Sequence, residues 1–160
     1  MKKNSGLFLV VILIQIAPFI SVADTLHPLI YKINIKKEIS NTTRLYLSNG
    51  LAEANALGAD AVLIHMNTYG GQVDAADSMR TAILYNSIPV YVFIDNNAAS
   101  AGALISIACK KIYMRKGANI GAATVVNQTG TAMPDKYQSY MRSMMRSTAE
   151  AHGQDTIIQK

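Results

Sequence analysis

One cysteine, Cys109, stands in the whole chain, which excludes an intramolecular disulfide and any zinc site built from several thiolates. Its neighbours, Leu104-Ile105-Ser106-Ile107-Ala108, are mostly apolar and mark it as a buried structural thiol rather than a reactive one. Histidine is also sparse. His27, His65 and His152 lie far apart and show no ligand spacing, so no metal site is expected, and no cofactor either. Charged residues make up 16% of the chain against 50% apolar, a balance that builds a core rather than a disordered tail. The net charge of +5 could suggest nucleic acid, but the basic residues are scattered singly or in pairs such as Lys36-Lys37 and Lys110-Lys111. They form no stripe interleaved with aromatics and no nucleic-acid-binding motif, so nucleic acid is not an expected partner.

A membrane-spanning run is missing as well. The longest apolar stretch, residues 7–20, is broken by Gln15 and Pro18 and falls short of the roughly 20 residues a spanning helix needs. Lys2 and Lys3 precede it, and Ser21-Val22-Ala23 follows with small residues at a cleavage site. Residues 1–23 therefore read as a secretory signal peptide, cleaved after Ala23, in preference to an uncleaved anchor. Its loss takes two lysines and no acid, lowering the net charge from +5 to +3. The remaining 24–160 form one domain, expected at the periplasmic or extracytoplasmic face of a membrane.

Along that domain two periodicities alternate. Residues 29–35, 61–66, 89–94 and 111–114 read as strands, the middle two continuously apolar as in buried parallel sheets. Helices are expected from Ser40-Asn41-Thr42 to about Leu57, stopped by Gly58; over 73–85; over 98–109; and from Pro134 to Ala151, stopped by Gly153. Asn67 to Gly71 breaks the second strand, Asp95-Asn96-Asn97 reads as a turn, and 124–132 as a polar loop. Strand–helix–strand alternation at this spacing predicts an α/β fold, a mostly parallel sheet of βαβ units flanked by helices. Working groups then gather at the carboxyl ends of the strands, where Asn67–Gly71 and Asp95–Ser100 fall. No element follows the last helix before Lys160, which is consistent with a fragment of a longer protein.

Gly70-Gly71 follows one strand, and 29 residues beyond Gly71 comes Ala98-Ala99-Ser100-Ala101-Gly102 after the next. A glycine pair lets backbone approach a ligand closely and aim amides at it. A serine among alanine and glycine is open to attack a substrate, and at a helix start the macrodipole favours developing negative charge. The segment fits a serine N-cap in a close-packed helix equally well. A nucleophilic serine needs a base. No histidine lies between Ser100 and His152, and His65, inside an apolar strand, reads as a satisfied core histidine. Lysine remains: Lys136, after Met133-Pro134-Asp135, would sit in the first turn of the last helix. The positive helix end and burial would both favour its neutral amine, the form that accepts a proton. From spacing alone, an exposed lysine paired with Asp135 or solvent is the better reading. The last helix also carries Tyr137, Tyr140, Met141, Met144, Met145 and Thr148 near helical spacing, which reads as a core-facing or dimer-facing stripe ahead of a Met-lined wall for hydrophobic peptide.

Four segments in order resemble a known family: Asn67-Thr68-Tyr69-Gly70-Gly71-Gln72-Val73-Asp74, Ala98-Ala99-Ser100-Ala101-Gly102, Asn119-Ile120-Gly121-Ala122-Ala123 and Met133-Pro134-Asp135-Lys136. Together they resemble the NfeD-type membrane-bound serine peptidases of the ClpP/crotonase superfamily, over nearly all of residues 29–153. The resemblance implies Ser100 as nucleophile, Lys136 as general base, and the amides of Gly71 and Ala101 as oxyanion hole, with Tyr69 and Gly70 along the substrate backbone. It implies substrates with hydrophobic segments, notably stomatin-like membrane proteins, and a homodimer or higher oligomer. Two departures stand out: Tyr69 replaces the family's proline, and the stretch from Gly121-Ala122 to Lys136 is shorter by a couple of residues. Such loops are typically mobile, so Lys136 is expected to meet Ser100 once substrate or a partner subunit orders it. Asp74 and Arg80 read as salt-bridge or capping groups. Two other readings are a degenerate scaffold that binds stomatin-like partners, which retention of Ser100 and Lys136 disfavours, and a crotonase-type acyl-CoA enzyme, which a signal peptide disfavours.

Overall fold

The computed structural model describes residues 27–121, 123–127 and 129–151. The expected signal peptide, His152 and the expected stop at Gly153 lie outside the described residues. Strands β1 (Ile30–Ile35), β2 (Ala61–Thr68), β3 (Val90–Ala99) and β4 (Lys111–Met114) pair side by side in chain order, all parallel. Helices α1 (Asn41–Ala56), α2 (Val73–Leu84) and α3 (Ala101–Ile107) make the crossovers. A short β5 (Asn119–Gly121) returns to the far end of β3, and α4 (Asp135–Ala151) closes the described chain.

Right-handed crossovers between consecutive neighbours place the crossover helices on one face of the sheet. The burial pattern follows. Val62, Ile64, Met66 and Thr68 of β2 and Val90, Val92, Ile94 and Ala98 of β3 are buried, while Leu63, His65, Tyr91 and Phe93 between them are only half-buried. The continuously apolar strands expected from the sequence thus have one fully covered face. With Ile33, Ile35, Leu47, Leu51, Met79, Leu104 and Ile105, these residues form the core. Each such side chain removed from water contributes about 1.5–3 kcal/mol. Cys109 is fully buried among them, and burial pushes its thiol well above the usual range.

Both central strands run further than their sequence suggests. Asn67 and Thr68 extend β2, and Asp95-Asn96-Asn97, expected as a turn, lies within β3. The register shifts between Met66 and Thr68, Met66 facing Ile94 and Thr68 facing Ala98, so β3 carries extra residues in a bulge. The Asn67 side-chain oxygen accepts the Asn97 N–H at 3.2 Å, and Asn97 to Ala99 pair with β5. Tertiary partners here override turn propensity. Consequently Ala98 and Ala99, expected in a helix, are strand, and α3 starts only at Ala101. Asn119 opens β5.

The loop expected over 124–132 carries no strand among its described residues, but it folds back as a hairpin closed by one antiparallel bridge. Val126 bridges Ala132, Asn127 N–H bonds Thr131 O, and Met133 N–H bonds Val125 O. The Asn127 side-chain oxygen accepts from Thr129 N, Thr129 Oγ1 and Thr131 N at 3.0, 2.7 and 2.9 Å. The stripe on α4 is split: Met141, Met144 and Thr148 are buried, whereas Tyr137 and Tyr140 are exposed. Arg80 pairs with Asp77 at 2.6 Å, and Asp74 stands in the first turn of α2.

Candidate active site

The sharpest local feature is the backbone of Ser100. It sits at φ 50°, ψ −116°, alone in positive φ among the described non-glycine residues. Such a conformation costs about 1–3 kcal/mol and persists only when its surroundings enforce it. They do so here. Ser100 N–H bonds Gly121 O at 2.9 Å, and Ser100 O accepts from Ala103 N at 2.9 Å and Leu104 N at 3.4 Å. The hydroxyl makes no capping bond, so the N-cap reading fails. It is a half-buried serine on a sharp strand-to-helix turn whose Oγ has no partner among the described residues, the arrangement that presents a nucleophile. With only seven residues, α3 adds little macrodipole, so the support expected from a longer helix is reduced.

The glycine pair is built against this turn. A Cβ on Gly70, at φ 110°, would lie 2.7 Å from Ser100 Cβ and 3.3 Å from Ala101 N. A Cβ on Gly71, at φ 151°, would lie 2.1 Å from Ile39 O. Ile39 N–H bonds Gly70 O and Gln72 N–H bonds Ile39 O, both at 2.8 Å, so the segment pairs with Ile39 along one edge. In that pairing the Gly71 N–H points away from Ile39. Among the described residues, neither it nor the Ala101 N–H has a hydrogen-bond partner. Thr68, buried at the end of β2, fixes the turn by accepting the Gly70 N–H at 3.1 Å. Gly102 is packed as tightly, since a Cβ there would meet Thr68 Cγ2 at 2.6 Å. Tyr69, at the tip, is 81% exposed.

Lys136 lies in the first turn of α4 as expected, but it is exposed rather than buried. Its ammonium sits 5.0 Å from the centre of the Tyr137 ring, and it makes no hydrogen bond to Ser100. It lines a groove of about 940 Å³ that begins at Gln72, next to the glycine pair. Met133, Met141 and Met144, with Val125, Tyr137 and Tyr140, give the groove its apolar lining, and Asp74 and Asp77 stand on it. The structure thus joins Gly70, Gly71, Ser100 and Ala101, while Lys136 stands on the groove that Gln72 also lines, with no hydrogen bond to Ser100.

His65 and Asp95 also approach, with Nε2 3.2 Å from Oδ2, and Arg115 binds the other carboxylate oxygen at 2.6 Å. This pair occupies the strand face opposite Thr68, away from α3, so it does not serve Ser100. His65 is thus half-buried on the outer face rather than a satisfied core histidine: it has a tilted contact to Phe93, and among the described residues its Nε2 stands near Asp95 without a hydrogen bond. Among the described residues no cluster of His, Cys, Asp and Glu could hold a metal. No helix among them is long and apolar enough to cross a membrane. Sequence reasoning missed Thr68, Ile39 and Gln138, whose parts depend on tertiary pairing that no motif records.

The NfeD1b N-terminal domain family matches residues 29–160. The membrane protein NfeD1b of Bacillus subtilis is 33% identical over 126 residues, which cover 79% of this chain and 29% of that protein. The membrane-bound protease PH1510 of Pyrococcus horikoshii is 28% identical over 138 residues, covering 81% of this chain and 31% of that protein. The chain thus spans under a third of the length of these relatives. Among solved structures, a mutant of the 1510-N membrane-bound stomatin-specific protease in complex with a substrate peptide superposes with a TM-score of 0.78 at 27% identity, over 82% of this chain and 64% of that one. ClpP1 from Listeria monocytogenes shares the fold, with a TM-score of 0.64 at 23% identity over 81% and 76% of the two chains.

Proposed function

The chain belongs to the NfeD1b N-terminal domain family, and from that premise we propose that it is a serine endopeptidase working through a Ser100–Lys136 dyad. The observation that carries this reading is the strained Ser100 turn with its unbonded hydroxyl. Lys136 Nζ takes the Ser100 proton as Oγ attacks the scissile carbonyl carbon. The Gly71 and Ala101 N–H groups stabilise the oxyanion. The carbon–nitrogen bond breaks, the amine leaves with the proton held by Lys136, and a Ser100 ester remains. Water, deprotonated by Lys136, then releases the acid product and restores the hydroxyl.

The groove supports a substrate with a hydrophobic segment, its methionine lining adapting to irregular apolar side chains. Tyr69 and Gly70 would flank that backbone on the Ser100 side. A protease relative is named as stomatin-specific, which supports a stomatin-like membrane protein as the class of partner. An exported domain at the extracytoplasmic face, acting as a homodimer or larger assembly, belongs to the same reading. The separation of Lys136 from Ser100 favours a second account, a scaffold without catalysis that binds such partners.

Labelling with a fluorophosphonate, read by mass spectrometry, separates the two. Wild-type protein should be modified at Ser100, Ser100→Ala not at all, and Lys136→Ala about 10²–10⁴-fold more slowly. If both variants cleave a hydrophobic peptide as well as wild type does, the dyad is wrong.

A further inference from the structure

Gln138 lies two residues beyond Lys136 on α4, and its carboxamide is fully used. Oε1 accepts the Val125 N–H at 2.9 Å, while Nε2 donates to Val125 O at 2.8 Å and to Met133 O at 3.0 Å. One side chain thus pairs with both backbone groups of Val125, as a neighbouring strand would, and also reaches the residue that ends the hairpin. Val125 O accepts a second bond, from Met133 N at 2.9 Å. Hairpin and helix start are therefore one hydrogen-bonded unit. That unit is tied to the serine as well, because Gly121 O holds the Ser100 N–H. Only four Cα–Cα steps separate Gly121 from Val125, a span of at most about 14 Å.

From this chain of contacts we propose that Gln138 is a positioning residue for Lys136. By clamping Val125 to α4 it keeps the amine-bearing turn within a short tether of the Ser100 elbow, so that Lys136 reaches Ser100 by movement of the whole hairpin–helix unit rather than by ordering of a slack loop. The proposal rests on the Ser100–Lys136 reading. A half-broken clamp leaves polar backbone groups without partners, which loosens the unit more than the loss of three modest bonds suggests.

The test uses the full chain and a fluorophosphonate probe, with the saturable rate kinact and the constant KI measured separately. In Gln138→Leu, kinact should fall about 10- to 100-fold, the scale of a misplaced catalytic group, while KI stays within about twofold. The fraction of protein finally labelled should not change, as it would if the variant merely unfolded. Hydrogen exchange at the Val125 amide should rise about tenfold or more. In a Lys136→Ala background the Gln138→Leu effect on kinact should vanish. Should the leucine variant fail to fold, Gln138→Met keeps side-chain length and helix propensity and serves in its place. Faster Val125 exchange with an unchanged kinact overturns the proposal, as does an effect that persists without Lys136. Wild-type protein that is not labelled at Ser100 overturns the dyad and the positioning role together, while the exchange measurement still reports on the clamp itself.

Discussion

Where β2 ends, Thr68, Gly70, Ser100 and Gly102 share so little space that each dictates its neighbour. Gly70→Ala would set a Cβ 2.7 Å from Ser100 Cβ, on backbone at φ 110° that an alanine rarely adopts. The alanine can be accommodated only if the elbow relaxes. Gly70→Ala should therefore lose about 1–3 kcal/mol in urea unfolding. It should also lose Ser100 labelling under conditions where the protein remains folded. Retained labelling with normal stability would mean that the contact is not enforced. Ser100, Gly70 and Gly71 stand out in sequence because two small-residue segments, each ordinary alone, follow successive buried strands. Thr68 and Ile39 do not, since a threonine ending a strand and an isoleucine after it carry no mark of the backbone they will hold. Lys136 is named as base by exclusion of histidine together with the family resemblance, whereas its spacing alone favours the exposed lysine that the structure has; position along a helix is readable, but a role depends on what packs against it.

Among the elements, β1, α1, α2, β4 and α4 fall within a residue or so of where periodicity and capping residues put them. Ser40 is the side-chain cap expected at the start of α1, its Oγ taking the Thr43 N–H. Asp95-Asn96-Asn97 has turn composition yet enters backbone pairing because distant partners meet it, Asn67 and β5, and the same strand takes in Ala98 and Ala99, expected in a helix. Propensity is a local quantity and does not register such partners. The 124–132 segment shows the reverse case: it is the loop its composition predicts, closed by local bonds such as Asn127 N–H to Thr131 O. Cys109, just past α3, is sealed in the core and its thiol is pushed far from ionisation. It should be silent toward a disulfide reagent in native buffer and react fully in denaturant; rapid native reaction would show that the back of α3 opens readily.

At the scale of the molecule, the sheet and its crossover helices are held differently from the hairpin and α4. The core runs through β1, β2 and β3 under α1, α2 and α3, with parallel ladders on both sides of β2 and β3. By contrast, α4 rests chiefly on α3, through Met141, Met144 and Thr148, and is fastened to the hairpin by Gln138. Fewer buried apolar contacts mean a smaller free energy of opening, so the two parts should open as separate cooperative units. Native-state hydrogen exchange tests this directly. Amides of β2 and β3 should exchange only through global unfolding, whereas those of α4 and the hairpin should share one lower opening energy. The Ser100 elbow belongs to the first unit and Lys136 to the second, so the distance between them is governed by the seam where α4 meets α3. Were α4 to exchange only with the global transition, the lysine would be locked at its exposed place, and a dyad completed by movement of this unit would have to be given up.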